Sequence, residues 1–286
     1  MDSTLTTTLN TSMLRTFLRR LHLHRREVAC AGDETAPPLV ILHGLFGSSS
    51  NFATVSRALN TRRRVVLCDL RNHGSSTWSE DASIEAMADD VIELMDEMSI
   101  CQAAVCGHSL GGKVAMAAAL ARPERITSLI VADILPVTHT EAHEGWRTNV
   151  EIMEVLASLP DSALGSRADA DAALAARAVG DPGVRAFLLQ NLVAGERRFR
   201  MNVHGLLASA KAGELSAFPE HLPPAPASLP VRLVAGMRSP YCTSPGARAP
   251  LERFFPGAER ETRWLDAGHW VHAECPQEFA RLVDDF

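Results

Sequence analysis

The chain has 286 residues, 46% of them hydrophobic and 22% charged, with 28 basic against 34 acidic side chains and a formal net charge of −6. That length suits one large α/β domain with room for an insertion and a sizeable buried core. The negative balance gives no attraction for nucleic acid, and no apolar run reaches the roughly 18–20 residues that span a bilayer, so neither nucleic acid nor stable membrane insertion is expected. Cys30, Cys68, Cys101, Cys106, Cys242 and Cys275 form no C-x-x-C pair and read as thiols of a reducing compartment.

Residues 1–20 form a leader. Its first ten residues are threonine-rich, Arg15, Arg19 and Arg20 follow, and Asp2 is the only acid before Glu27. An acid-poor, Arg- and Ser/Thr-rich amphipathic segment has the composition of a mitochondrial transit peptide, which points to the mitochondrial matrix. The plainer alternative is a basic or disordered tail on a cytoplasmic protein, running into an edge strand over residues 21–24, where apolar and polar residues alternate.

Residues 38–42 are a short apolar strand entering the loop His43-Gly44-Leu45-Phe46-Gly47. Residues 51–59 read as helix, 64–69 as a second buried strand, and 70–75 as the loop leaving it. Ser83 caps an amphipathic helix to about Met98, with Ile84, Met87, Ala88, Val91, Leu94 and Met95 at helical spacing. Residues 103–106 end another buried strand, 113–121 are helix formers stopped by Arg122-Pro123, and 129–134 are a continuous apolar strand. Strands that alternate with helices and are buried on both faces predict a mostly parallel sheet flanked by helices.

The pattern then changes. Residues 137–227 are Ala-, Arg- and Asp-rich with helical periods and no strand signal, and they close on a Pro-rich hinge, Leu222-Pro223-Pro224-Ala225-Pro226. An all-helical insertion inside a core of 21–136 and 228–286 reads as a cap. Covering helices without a gating role are the plainer alternative, and the Pro-rich exit favours the cap. The core resumes with strands at 231–236 and 261–265, a helix end at 250–255, and a terminal helix from Pro276.

Between the strand at 103–106 and its helix lies Gly107-His108-Ser109-Leu110-Gly111, the G-x-S-x-G nucleophile elbow. The elbow holds its serine at a strained strand-to-helix turn, and side chains at 107 and 111 would strike neighbouring backbone. A serine hydroxyl needs a general base within hydrogen-bond reach. In this order of elements the base follows the last strand, where His269 stands in a Gly-flanked loop. His108 packs beside the nucleophile and is not that base. The commonest place for the third member, an acid that orients the imidazole, is after the strand at 231–236. Met237-Arg238-Ser239-Pro240-Tyr241-Cys242 offers no carboxylate there.

The acid is therefore assigned to Asp133, at the carboxyl end of the preceding core strand, where ligands bind in open α/β folds. Asp266 is the weaker candidate, and a Ser–His dyad is the alternative. The oxyanion donors expected are the N–H groups of Leu110 and Leu45. Gly44 lets the backbone come close, His43 braces the loop, and Phe46 and Trp270 line the pocket. His139-x-x-x-His143 lacks the glutamate of a zinc-protease motif and reads as a solvated start to the cap. Asp69, Arg71, Asn72 and His73 read as a loop brace. Neither a P-loop nor a dinucleotide fingerprint is present, and no metal site or cofactor is expected.

The blocks HGLFGSSSNF (43–52), DLRNHGSS (69–76), GHSLGGKVAM (107–116), VADILPV (131–137) and AGHWVHAECPQEF (267–279) resemble the YbfF-type esterases. The same family includes the eukaryotic alpha/beta-hydrolase domain-containing protein eleven group. The resemblance spans most of residues 38–286 and weakens through the cap. It implies an α/β-hydrolase fold, a Ser-Asp-His site, no cofactor, and hydrolysis of carboxylic esters or acyl thioesters. It supports Asp133, which lies in the fourth block. Some eukaryotic relatives have been assigned an acid in the late cap instead, and the similar stretch here, Arg200-Met201-Asn202-Val203-His204, has no carboxylate. Mitochondrial members of the family add weight to the leader.

The expectation is a serine hydrolase acting through an acyl-enzyme on small to medium acyl esters or thioesters. Ser109 excludes the chemistries that need an elbow aspartate, and leaves perhydrolase or C–C hydrolysis open. A ligand-binding or scaffold protein that keeps the fold is the rival from another class. Acyl preference depends on how cap residues such as Trp146 and Phe187 lie over Ser109, and nothing in the sequence sets the oligomeric state.

Overall fold

The computed structural model describes residues 21–286 apart from 32–33, 60–61 and 244–247, so the leader reading lies outside the described residues. The strands are β1 (Arg25–Val28), β2 (Leu39–Leu42), β3 (Val65–Cys68), β4 (Ala103–His108), β5 (Ile126–Ala132), β6 (Leu192–Val193), β7 (Arg198–Phe199), β8 (Val231–Gly236) and β9 (Arg263–Leu265). Among the described residues, seven of them form one sheet in the order β1-β3-β2-β4-β5-β8-β9. Only β1 runs antiparallel to its neighbour. Strand order reverses between β2 and β4, which leaves a crevice at their carboxyl ends.

The edge strand lies four residues beyond its expected place. Residues 21–24 are extended, but their partners are loop residues rather than a strand. His22 N–H donates to Thr77 Oγ1 at 3.2 Å, His24 N–H donates to Ser76 Oγ at 2.8 Å, and His24 C=O accepts from Asp69 N–H at 2.9 Å. Strand pairing begins only at Arg25, opposite Cys68.

Alternation along the inner strands divides the core in two. Val40, Leu42, Val66, Cys68, Val105 and Val131 face one layer, while Leu39, Ile41, Val65, Leu67, Cys106 and Ile130 face the other. The second layer is covered by α1 (Ala53–Leu59) and the C-terminal helix Pro276–Asp284. The first is covered by α2 (Ile84–Glu97) and α3 (Leu110–Ala121). Ser83 caps α2 as expected, its hydroxyl accepting from Ala86 N–H. Helix α3 is buried almost throughout, and its alanines let it lie close against the sheet. It stops where Arg122-Pro123 was expected to stop it.

Between β5 and β8 the chain builds α4 (Glu144–Ala157), α5 (Arg167–Ala175), α6 (Pro182–Leu188) and α7 (Val203–Lys211). The segment is not all-helical. β6 and β7 make a two-residue antiparallel ribbon, turned by Arg197 in the left-handed region at φ 48°. Strands of two residues carry no legible period, which is why sequence alone missed them. Among the described residues, no helix is long and apolar enough to cross a membrane.

The loop after β3 is a brace, as expected. Asp69 accepts from Ser49 N–H at 2.6 Å and Ser75 N–H at 2.9 Å. Arg71 makes a buried two-pronged pair with Asp90 of α2 at 2.6 and 2.7 Å and donates to the carbonyls of Asp81 and Ala86. Burial pushes the Asp90 carboxyl upward and the guanidinium partly offsets it. Such a pair adds little net stability, yet removing one partner leaves a charge buried alone. Arg71→Leu should therefore lose about 3–5 kcal/mol in urea denaturation, and Arg71→Leu with Asp90→Leu should recover most of it. Equal losses in the single and double variants would contradict this account.

Candidate active site

Four strand ends meet at the carboxyl edge of the sheet. β2 delivers His43, β4 delivers Ser109, β5 delivers Asp133 and β9 delivers the loop carrying His269. Ser109 sits at φ 51°, ψ −117°, outside the regions an L-residue prefers. Its strain is held from both sides. Ser109 N–H donates to Ala132 C=O at 3.0 Å, and Gly111 N–H donates to His43 C=O at 3.1 Å. A Cβ at Gly107 would strike the Gly111 carbonyl, and one at Gly111 would come within 2.5 Å of the His43 carbonyl. Both glycines are therefore steric requirements of the turn.

His269 Nε2 lies 2.9 Å from Ser109 Oγ, and His269 Nδ1 lies 2.7 Å from Asp133 Oδ2. A carboxylate only accepts, so Nδ1 carries the proton and Nε2 presents its lone pair to the hydroxyl. Asp133 has no exposed surface and a left-handed backbone at φ 53°. Its Oδ1 accepts from Gly236 N–H at 2.8 Å, and its Oδ2 accepts from the hydroxyl of Ser239 as well as from His269. Asp266, the weaker candidate, is exposed and ion-paired with Arg238.

Ser239 was not anticipated. It stands in the loop after β8, where the sequence offered no carboxylate, and its buried hydroxyl serves the carboxylate one strand away. The missing acid was the available signal. Tyr241 was missed too. Its ring packs on the His269 imidazole with centroids 4.3 Å apart, limiting rotation of that ring.

His43 is fixed in one tautomer. Its Nε2 accepts from Leu70 N–H at 3.0 Å, so Nδ1 holds the proton and donates to Gly44 C=O at 2.8 Å. Both nitrogens are used on backbone groups, one in the loop after β2 and one in the loop after β3. His108 Nε2 donates to His269 C=O at 2.9 Å, leaving its ring beside Gly44. Among the described residues, the N–H groups of Leu45 and Leu110 donate to no protein acceptor. For Leu110 this follows from its place in the first turn of α3. Phe46 holds φ 63°, and its carbonyl accepts from Asn191 Nδ2 at 2.7 Å. Asn191 gave no sequence signal, because its partner lies 145 residues away.

A cleft of about 420 Å³ opens over Ser109, bordered by Leu45, Ile152, Phe187, Tyr241 and Trp270 among others. Phe187 and Trp270 pack together there at 5.8 Å. Trp146 instead borders a chamber of about 30 Å³ that also reaches Ser109, with Lys113 and His139 in its wall. Lys113 is buried, donates to Ser216 C=O at 2.8 Å, and is pushed down by burial to about 7.

His139 of the His139–His143 pair is not solvated, contrary to expectation. His139 is buried, its ring 4.4 Å from His143 and 5.6 Å from Tyr241, and burial pushes it down to about 2. His143 is half-buried and caps α4, accepting from Trp146 N–H at 3.3 Å. The inserted segment folds back on α3, so both rings pack on Tyr241 and only His143 keeps part of its surface exposed.

Burial also lowers His43, holds His108 well below its ordinary value, and brings His73 and His272 to about 3. These rings are neutral in the fold and protonate near 6.5 when unfolded. For His73 and His272 the unfolded chain binds more protons between about pH 6.5 and 3, so stability falls as pH falls, by about 1.4 kcal/mol per unit per ring. His272 stacks on Phe52 at 4.3 Å, and among the described residues its buried Nδ1 meets no hydrogen-bond partner. Urea midpoints should change little above pH 7 and fall with growing slope from about pH 6.5 to 4.5, and His272→Phe should flatten that slope by one ring's share. An unchanged slope in the variant would contradict this assignment.

The alpha/beta hydrolase fold family model matches residues 37–276. A mouse (Mus musculus) protein described as the sn-1-specific diacylglycerol lipase ABHD11 is 38% identical, the match covering 89% of this chain and 82% of that protein. Esterase YbfF of Escherichia coli K12 is 32% identical, over 92% of this chain and 98% of its own. A solved structure titled marine microorganism esterase superposes with a TM-score of 0.83 at 29% identity, covering 93% of this chain and 99% of that one. With the elbow, the strand order and these matches in agreement, the chain belongs to the α/β-hydrolase family, within the group that holds ABHD11 and YbfF.

Proposed function

We propose that the protein is a serine hydrolase that cleaves carboxylic esters, and acyl thioesters, of small to medium acyl groups through an acyl-enzyme. The observation that carries this reading is the continuous relay from Ser109 Oγ through His269 to Asp133, at 2.9 and 2.7 Å. Relatives named as an esterase and a lipase support the ester class. As Ser109 Oγ attacks the acyl carbon, its proton passes to His269 Nε2, and Asp133 stabilises the imidazolium. The developing oxyanion is met by the N–H groups of Leu45 and Leu110. Collapse expels the alcohol or thiol, which takes the proton from His269. Water then repeats the sequence on the acyl-Ser109 ester and releases the acid.

Ser109→Ala should abolish p-nitrophenyl butyrate turnover with an unchanged circular dichroism spectrum. A fluorophosphonate should label the parent at Ser109 and leave the variant unlabelled. Undiminished turnover, or no labelling of the parent, would sink the assignment and favour a fold kept as a ligand-binding scaffold. Asp133→Asn should retain the fold and lose about 10⁴-fold in kcat, through the wrong imidazole tautomer. The leader's composition adds a mitochondrial matrix address to this reading. Residues 1–30 fused to a fluorescent protein should co-localise with a mitochondrial stain, and diffuse fluorescence would overturn the address.

A further inference from the structure

The inserted segment is bonded to the chain after β2 through two neighbouring side chains. Asn191 is buried, and its Nδ2 donates to Phe46 C=O at 2.7 Å. Beside it, Gln190 Oε1 accepts from Asn51 Nδ2 at 3.2 Å. Asn191 is itself held in place. Its C=O accepts from Arg200 N–H at 2.8 Å, and its Nδ2 also reaches Leu188 C=O at 3.3 Å, at the end of α6. Asn191 and Arg200 stand at the open end of the β6–β7 ribbon, so the pairing of that ribbon sets where the asparagine lies.

Across the bond lies the turn that carries Leu45. Gly44 C=O accepts from His43 Nδ1 at 2.8 Å and from Gly47 N–H at 3.0 Å, which closes residues 44–47 on themselves. Phe46 stands in that turn at φ 63°, a conformation a bulky residue keeps only where surrounding bonds impose it. The bonds inside the turn leave the Phe46 carbonyl to Asn191. Were Phe46 to relax to negative φ, the peptide joining residues 45 and 46 would turn and tilt Leu45 with it. Leu45 N–H has no protein acceptor among the described residues, and Leu45 borders the cleft beside Ser109.

We propose that Asn191 is a positioning residue for ester hydrolysis, holding the Leu45 N–H in line with the developing oxyanion through the Phe46 carbonyl. The proposal rests on the serine-hydrolase reading, with Leu45 as a donor, and adds that the inserted segment completes the oxyanion site. The side-chain amide is the chemistry the place requires. Leucine offers no donor to the carbonyl, and aspartate of the same shape sets a carboxylate, which only accepts, against another acceptor. An aimed N–H acts on the tetrahedral oxyanion more than on the bound ester. Losing its aim therefore weakens tetrahedral adducts and slows turnover while ester binding stays.

The test compares the parent with Asn191→Leu and Asn191→Asp. In both variants kcat/KM for p-nitrophenyl butyrate should fall about 10–100-fold, short of the loss of a whole donor. Inhibition by an alkyl trifluoromethyl ketone, which forms a tetrahedral oxyanion on Ser109, should weaken by a similar factor. Calorimetric titration of Ser109→Ala with ethyl butanoate reads ester binding without turnover, and adding Asn191→Leu should change that affinity less than twofold. Asn202→Ser is the control for a loosened insertion. It removes the Nδ2 bond to Asn72 Oδ1 at 3.1 Å, keeps a capping oxygen for Gly205 N–H, and should leave ketone affinity within twofold. Ketone affinity within twofold of the parent in both folded Asn191 variants would overturn the proposal. So would an equal weakening in Asn202→Ser, or a matching loss of ester binding. A parent that neither hydrolyses the ester nor binds the ketone would instead remove the hydrolase reading, and this role with it.

Discussion

Asp133 holds a negative charge where no solvent reaches it, and such a charge costs several kcal/mol unless donors surround it. Among the described residues, Gly236 N–H, the Ser239 hydroxyl and the His269 imidazole surround it, with the Cys242 thiol of the Ser239 turn as a further partner. Each of the first three comes from a different consequence of the β5–β8–β9 order. Parallel pairing of β5 with β8 sets Gly236 beside Asp133, the turn out of β8 returns Ser239, and the loop after β9 reaches back over β8 with His269. Because the acid sits one strand beyond the commoner place, that loop must cross the end of β8. It crosses at a glycine, since a Cβ at position 236 would collide with the Gly268 carbonyl.

A crowd of histidines surrounds Ser109, and burial sorts them. His43 spends both nitrogens on backbone partners, His108 spends one, and His272 is stacked among Phe52, Phe279 and His108. Desolvation keeps these rings neutral. His269 alone of the four has a carboxylate within hydrogen-bond reach, so it alone is equipped to hold a proton in mid-reaction. Selection among the rings is thus an outcome of who meets Asp133.

The residues legible in the sequence are those whose place follows from topology. Ser109, Asp133 and His269 all stand just past the carboxyl ends of strands, and Leu45 follows β2, so finding the strands located them. Residues whose role depends on crossing between distant segments were silent. Ser239 needs β5 beside β8, Asn191 needs the insertion to touch the loop after β2, and Tyr241 needs the His269 loop beneath it. His139 was misplaced for the same reason. Its exposure is set by how the insertion folds back, and local polarity does not record that. The edge strand slipped because residues 21–24 alternate well but pair with a loop.

Asn191 fastens the inserted segment to the carbonyl of Phe46, one residue from the Leu45 N–H. Farther along the segment, Asn202 N–H fastens it to Asn72 C=O at 2.8 Å. The first of these bonds makes the inserted segment and the loop after β2 one bonded unit. The carbonyl beside the Leu45 N–H is thus held by a residue 145 positions away, and the backbone at Phe46 answers to the insertion as much as to the strand that leads into it.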